Sequence, residues 1–350
     1  MKRLNIRYSV GLLFLAAPLL SGCMKEVFPT DVATTDQLAK SPDATEFLVS
    51  AIPAKAKSVY NWDKSYSWGL GGIMHIRDVM TEDLATLSNR DWDWFWWWSE
   101  CTDIGAPWMR TQYVWEWHYQ YVQATNNVIG AVNPDAATDV QKGYLGVAYA
   151  NRAMIYLDMA RMFEFKKTGV TSVDQKADEL NCWGLTVPIV KEGMTDVEKK
   201  NNPRAPFYTM YRFIMTDLNN AETYLTGYTR TDKTLPDLSV VYGLKARLWL
   251  ELATRFETTP EDLTATINAD NAATDGYDKL NITSANDCYT KALQYAQQAQ
   301  SGYTPTTEAQ WHDPETGFNK PTNAWMWDMS VSTREQVGSY YCSFPGVICT

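Results

Sequence analysis

The chain has few of the residue patterns that catalysis and metal binding require. It has three histidines, His75, His118 and His312, and none has metal-ligand spacing or lies in an H-E-x-x-H motif. Its six cysteines include no C-x-x-C pair, so zinc and thiol redox sites have no support. A Gly-x-Ser-x-Gly elbow is also absent. These absences predict a protein that is not an enzyme, with no metal site and no cofactor.

Positive charge is also scarce. The chain has 31 lysine and arginine residues against 41 aspartate and glutamate residues, so its formal net charge is −10. Such a chain repels the phosphate backbone, which excludes nucleic acid as a partner. Binding to an anionic membrane through protein charge is excluded for the same reason.

After the N-terminus, no apolar run reaches the length of about 20 residues that a membrane-spanning helix needs. Residues 1–22 combine a basic start with a short apolar run over 10–20, which is typical of a secretory signal peptide. This segment ends in Leu-Ser-Gly before Cys23, the pattern of a lipobox, where the cysteine thiol is acylated and the chain is cut before it. We therefore predict a signal peptide at 1–22, lipidation of Cys23, and a lipid anchor and tether over 23–40.

The sequence does contain strong helical periodicity. Apolar residues recur at spacings of three and four from about residue 108 to 302, which predicts amphipathic helices. Short turn motifs such as Asn133-Pro134-Asp135 separate them, so the predicted fold is dominated by α-helical hairpins. The predicted helical segments are 42–58, 108–133 with 139–164, 206–226 with 237–257, and one that starts at 284.

Two of these helices repeat one another. Residues 149–164 and 242–257 share identical tyrosine, alanine, leucine, phenylalanine and glutamate residues at matching positions. Small alanines let a neighbouring helix approach, while large residues fill the space beside it, so stacked hairpins form a continuous core.

Long insertions are predicted between the helices. Residues 61–107 are expected to be irregular, and residues 258–283 to be a polar loop. Residues 165–205 include a short extended piece at 183–190. Insertions on a helical scaffold are where binding surfaces tend to lie.

The richness in aromatic residues, 15 tryptophans and 20 tyrosines, points to a ligand platform. Residues 91–100 read Asp-Trp-Asp-Trp-Phe-Trp-Trp-Trp-Ser-Glu. Indole rings stack on pyranose faces, and neighbouring polar side chains bond to sugar hydroxyls. The candidate ligand-binding rings are Trp92, Trp94, Trp96 and Trp98, of which Trp96 and Trp98 are favoured. The alternative is that several of these rings pack the loop onto the helices.

Further candidates lie outside this segment. Trp311, Trp325 and Trp327 follow the last predicted helix and could stack on ligand or pack in the core. Arg77 and Asp78 are candidate polar partners, with a surface ion pair as the alternative.

A series of motifs runs in order through the chain. These are Cys23, Ala124–Ile129, Gly143–Phe163, Gly184–Val190, Arg204-Ala205-Pro206, Tyr211–Ala221, Leu244–Leu248 and Tyr289–Tyr303. As an ordered set they resemble the SusD/RagB family of outer-membrane nutrient-binding lipoproteins of Bacteroidetes.

The resemblance implies tetratricopeptide-like helix pairs and an irregular ligand-binding half, within one SusD-like domain over 41–350. It implies a lipid-anchored protein at the cell surface, partnered with a TonB-dependent (SusC-like) transporter in the outer membrane. Family ligands are mostly oligosaccharides, with peptides in some branches. Because family members commonly continue further, the chain is either a fragment or a short member.

Three functions therefore compete. The leading hypothesis is capture of oligosaccharides for the transporter. A peptide ligand stays open, because the acidic chain also suits basic peptides. A surface-anchored glycoside hydrolase needs two carboxylates facing a cleft, and the helical repeat argues against it. Whether structural calcium orders the loops is also left open.

Overall fold

The structure is a computed structural model that describes residues 42–60, 67, 69–81, 83, 98, 101, 104–105, 107–314 and 322–328. Over these residues the fold is all-α, and the isolated bridges of extended backbone include Phe165 with Trp183 and Leu185 with Pro206. The helices are α1 (Pro42–Ala56), α2 (Gly69–Met80), α3 (Met109–Ala131), α4 (Asp139–Phe163), α5 (Thr171–Leu180), α6 (Asp196–Lys200), α7 (Phe207–Leu225), α8 (Leu238–Thr258), α9 (Pro260–Ala272), α10 (Ala285–Gln300) and α11 (Glu308–Trp311).

Helix α4 is the central element. Its start is fixed by a capping box, in which Thr138 and Gln141 each accept a hydrogen bond from the other's backbone N–H. Nearly every side chain from Gly143 to Ala160 is buried, as expected for a helix with neighbours on all sides. Glycine at 146 allows close packing on α7, because a Cβ there would lie 2.8 Å from Leu225 Cγ.

The helices stack in chain order. Helix α4 packs on α3 and α7, α8 packs on α7 and most extensively on α10, and α1 covers α3 and α4. The predicted hairpins α3–α4 and α7–α8 are confirmed, with boundaries within about two residues of those expected. This order produces one continuous apolar core from α1 to α10.

The sequence repeat is also a repeat of contacts. Tyr149 of α4 stacks on Tyr224 of the next long helix at 6.1 Å between ring centres, and Tyr242 of α8 stacks on Tyr295 at 6.0 Å. The repeat is not symmetric in exposure. Leu250 is 49% exposed, since α8 keeps a face toward solvent that α4 does not have.

The matching cations Arg152 and Lys245 of the repeat are both buried and both bond to acidic residues of α7. Arg152 donates two hydrogen bonds of 2.8 Å to Asp217 and one of 2.8 Å to Asn126 on α3. A fourth, of 2.5 Å, reaches Glu192 in the insertion before α7. One guanidinium therefore ties three helices and an insertion together.

Two predicted irregular segments contain helices instead. Helix α2 lies within 61–107, where three glycines had suggested irregular structure, and it buries Ile73, Ile76 and Val79. Helix α9 lies within the predicted loop 258–283. It starts with Pro260 in the first turn, and its most buried side chains are Thr266 and Asp270, so no apolar stripe marks it in the sequence. Helix α5 likewise interrupts the insertion 165–205.

Candidate functional site

The tryptophan segment is only partly within the described residues. Trp92, Trp94 and Trp96 lie outside them, and their role stays a prediction. Trp98 is described, and its side chain is 3% exposed and packed into the hydrophobic core. The prediction that Trp98 faces ligand is therefore wrong, because an enclosed indole has no free face for a sugar.

The predicted polar partners do not form a pair with each other. Arg77 Nη1 lies 3.0 Å from Asp158 Oδ1 on α4, and Arg247 of α8 lies 3.3 Å from the same oxygen. Asp78 is exposed beside it. Arg77 therefore joins α2 to the helical stack.

A buried imidazole lies near this ion pair. Burial lowers the pKa of His118 to about 4, and its Nδ1 lies 2.5 Å from the Val114 carbonyl oxygen. The ring is therefore neutral at physiological pH and does not offer a proton donor or acceptor to solvent.

The C-terminal tryptophans divide into two kinds. Trp327 Nε1 donates to the Thr234 carbonyl at 3.0 Å, and Lys233 Nζ donates to the Trp325 carbonyl at 2.7 Å, so residues 322–328 bind to the loop before α8. Trp311 on α11 is 54% exposed and presents its ring. Trp327 therefore packs against this loop, which is the alternative to ligand stacking that the sequence left open.

The Arg77 ion pair and residues 322–328 lie at different positions along the axis of α8. Residues 322–328 contact the loop that leads into Leu238, whereas Arg247 lies about 14 Å further along the helix axis at 1.5 Å per residue. The structure does not combine Arg77 and Trp327 into one described site.

A groove on α3 is a second candidate that the sequence reasoning missed. It has a volume of about 530 Å³ and is lined by Gln112, Trp115, Glu116, Tyr119, Gln120 and Gln123, here called the α3 groove. Trp115 and Tyr119 pack with ring centres 5.1 Å apart, and the Tyr119 hydroxyl donates to the Pro188 carbonyl at 2.8 Å. The guanidinium of Arg204 lies over Trp115 at 5.2 Å, so this ring is held in place.

The polar groups of the α3 groove are also held in place. Glu116 accepts hydrogen bonds from the Tyr60 hydroxyl at 2.8 Å and from the Gln120 amide at 3.1 Å. Burial and this hydrogen bond raise the pKa of Tyr60. Aromatic faces beside amides and a carboxylate are the chemistry that oligosaccharides require. A sequence signal existed: Trp115 and Tyr119 are four residues apart and lie off the apolar face of Tyr113, Trp117 and Tyr121.

Another cavity, of about 550 Å³, lies where α4 and α8 end and α7 begins. We call it the end cleft. One wall is the segment after α4 together with Trp183 and Gly184, and the other is the last two turns of α8 with Asp262 of α9. Its lining residues include Glu164, Phe165, Lys166, Lys167, Trp183, Glu251, Thr254, Arg255, Thr258 and Asp262.

Two further features bear on function. Among the described helices, none combines the length and the apolar character that a membrane span requires. Within the same residues, no three histidine, cysteine, aspartate or glutamate side chains converge so that they could hold a metal ion.

Comparison with known proteins gives consistent similarities. A SusD-like family described as starch-binding and associating with the outer membrane matches residues 40–250. The chain is similar to a solved SusD-like carbohydrate-binding protein from Bacteroides vulgatus, with a TM-score of 0.61, 18% identity, and coverage of 87% of this chain and 54% of that one. It is also similar to a SusD superfamily protein from Bacteroides thetaiotaomicron, with a TM-score of 0.50, 14% identity, and coverage of 77% and 49%.

The chain thus spans about half the length of these two solved structures. At such identities the similarity shows the shared helical fold. No curated protein matches the chain.

Proposed function

Because this chain belongs to the SusD-like family by a match over residues 40–250, we propose that it is a non-catalytic surface lipoprotein that captures oligosaccharides. A TonB-dependent, SusC-like transporter in the outer membrane would receive the captured glycan. The family match carries this proposal, and the α3 groove supports it with suitable chemistry.

The proposed anchor is the lipid on Cys23. Cleavage after residue 22 would leave this cysteine as the first residue, with residues 23–40 as the tether. Several acyl chains on one residue anchor a protein stably, whereas a single chain binds weakly. The protein would then work as a folded body held close to the membrane surface.

The proposed glycan contacts are of two kinds. Trp115 and Tyr119 offer ring surface in the α3 groove, and the exposed amides of Gln112, Gln120 and Gln123 offer both donors and acceptors. The predicted indoles at 92, 94 and 96 precede α3 in the chain and would add further stacking faces. Such shallow sites bind modestly, since each ring contributes only about 1 kcal/mol.

Calorimetry with a panel of neutral oligosaccharides tests this function. Trp115→Ala should weaken the affinity for a bound glycan about five-fold, because a lost stacking contact of about 1 kcal/mol corresponds to that factor. Trp108→Ala is the matched control, because Trp108 is an exposed indole at the N-cap of the same helix, α3, and lies outside the groove. Gln112→Ala with Gln123→Ala repeats the test with exposed residues whose loss leaves the core intact.

Three results would contradict parts of the proposal. Binding of basic peptides in place of any glycan would move the ligand to the peptide class. Release of sugar from a polysaccharide by the purified protein would make it an enzyme. Full affinity in Trp115→Ala with loss in Trp96→Ala would remove the α3 groove and leave the predicted tryptophan segment as the site.

A further inference from the structure

A further cavity, of about 440 Å³, lies between α7 and α9 and is here called the α7–α9 pocket. Its α9 wall is a stripe at positions i, i+3, i+4 and i+7, formed by Ala265, Asn268, Ala269 and Ala272. These spacings place the four side chains on one face of the helix. Three of the four are alanines, so their short side chains leave open space in front of α7.

The α7 wall holds a buried arginine with unmet hydrogen-bonding capacity. The side chain of Arg212 is 2% exposed and borders the pocket. Its Nη2 donates to Asp275, whereas Nε and Nη1 have no hydrogen-bond partner among the described residues. Buried donors are nearly always satisfied in folded proteins. The free N–H groups therefore indicate an acceptor that does not come from the described chain.

The charges around this arginine indicate what kind of acceptor fits. Arg212 Nε lies 3.8 Å from Asp270 Oδ1, and Asp275 pairs with Nη2, so one guanidinium faces two carboxylates. Two negative groups beside one positive group disfavour an anionic ligand, and the guanidinium disfavours a cationic one. A neutral hydroxyl suits both, because it accepts from an N–H group and donates to a carboxylate.

The carboxylate that such a hydroxyl would reach is Asp275. Its side chain lines the pocket and is 36% exposed, in contrast to the buried Asp270. Asp275 Oδ1 also accepts a hydrogen bond of 3.1 Å from the backbone N–H of Tyr277. Arg212 and this backbone N–H together hold the carboxylate at the pocket wall.

The rest of the pocket supplies the other groups that a sugar requires. Tyr208 is half-buried and packs edge to face on Phe207, with ring centres 5.3 Å apart. Asn268 is exposed and offers an amide donor and acceptor, and Thr209 and Thr274 offer hydroxyls. A volume of about 440 Å³ has room for about two sugar rings.

We propose that the α7–α9 pocket is a second glycan site that binds a short neutral saccharide of one or two rings. A sugar hydroxyl would accept from Arg212 and donate to Asp275, with the small side-chain shift that binding commonly brings. The sugar ring would lie against Tyr208, and Asn268 would bond to a further hydroxyl. This inference rests on the proposed glycan-binding function and adds to it a separate site and a size class of ligand.

Calorimetry of the purified protein with maltose, cellobiose and xylobiose, three neutral disaccharides, tests the inference. Ala272→Trp should lower the affinity for a bound disaccharide ten-fold or more, because Ala272 is an exposed residue of the pocket wall and an indole there fills the space. Ala296→Trp is the matched control, because it makes the same change at an exposed alanine of α10 outside the pocket.

Two further variants locate the site. Asn268→Ala should weaken disaccharide binding about five-fold through a lost hydrogen bond. This variant decides the case if Ala272→Trp does not fold, because Asn268 is exposed and its loss leaves the core intact. Trp115→Ala should leave disaccharide affinity unchanged, because Trp115 lines the α3 groove.

The outcomes separate this inference from the proposed function. Equal disaccharide affinity in Ala272→Trp, Asn268→Ala and Ala296→Trp would overturn the second site. Wild-type binding of maltotetraose but of none of the disaccharides would overturn it too and leave the proposed function standing. Tighter binding of digalacturonate than of every neutral disaccharide would overturn the ligand class. Failure of the wild type to bind any saccharide would overturn the proposed function as well.

Discussion

The buried guanidinium of Arg152 offers a sharp test of how this fold is held together. Its side chain is 2% exposed, and it bonds to Asp217, Asn126 and Glu192. Burial alone would lower the pKa of Arg152, but Asp217 and Glu192 outweigh that effect and raise it, so the charged form is stabilised where it lies. The perturbation is Arg152→Leu, which keeps much of the volume and removes the charge.

The magnitude follows from what the leucine would leave behind. Asp217 is buried on α7 and would lose both of its 2.8 Å hydrogen bonds from Arg152. Leaving one member of a buried ion pair uncompensated costs about 3–5 kcal/mol. At roughly 2–4 °C per kcal/mol for a domain of this size, the melting temperature should fall by about 10 °C.

Denaturant unfolding followed by circular dichroism measures the loss. Lys245→Leu is the comparison at the matching position of the repeat, and we expect a smaller loss there, because its partner Glu222 is 34% exposed and can be solvated. The double variant Arg152→Leu/Asp217→Leu should recover part of the stability. The reasoning is refuted if the double variant is less stable than Arg152→Leu by the full cost of a second core substitution.

Two other predictions test the buried histidine and the anchor. Folding lowers the pKa of His118 from 6.5 to about 4, so between these pH values the unfolded chain binds a proton at this residue and the folded chain does not. The free energy of unfolding is therefore unaffected by this group above pH 6.5 and falls by up to about 3 kcal/mol as the pH drops to 4. Denaturation by guanidinium chloride at several pH values should show a smaller loss of unfolding free energy in His118→Gln than in the wild type. An equal loss would assign the acid sensitivity to other groups. Cys23→Ser should move the protein from the membrane to the soluble fraction of the producing bacterium, and unchanged membrane retention would contradict the lipid anchor.

Much of the helical framework could be predicted because its signals are local. The sequence predicts a helix over 108–133, and α3 spans Met109–Ala131. It predicts another helix over 206–226, and α7 spans Phe207–Leu225. Apolar spacing and proline breaks lie within one or two turns of the helix ends that they specify. Where a helix has no apolar stripe, as in α9, the same signals are absent and the prediction was wrong.

The site was predicted less well, because exposure is a property of contacts between distant segments. Trp98 belongs to a run of tryptophans that looks like a ligand platform, yet its indole lies in the core. Trp115 and Trp183 lie outside that run of tryptophans, and each lines a cavity. Trp115 lies beneath Arg204, which is 89 positions later in the chain, and no local pattern reports such a contact.

The amino-acid sequence by itself determined the helical class, the repeat, the acidic balance and the family, because composition, periodicity and ordered motifs are written along the chain. The lipid anchor stays a prediction from the same sequence. Only the tertiary structure decided which aromatic rings line a cavity and which charged side chains pair in the interior. The reason is physical: burial and ion pairing depend on which residues meet in space, and in this stack of helices the deciding partners come from segments that are distant along the chain.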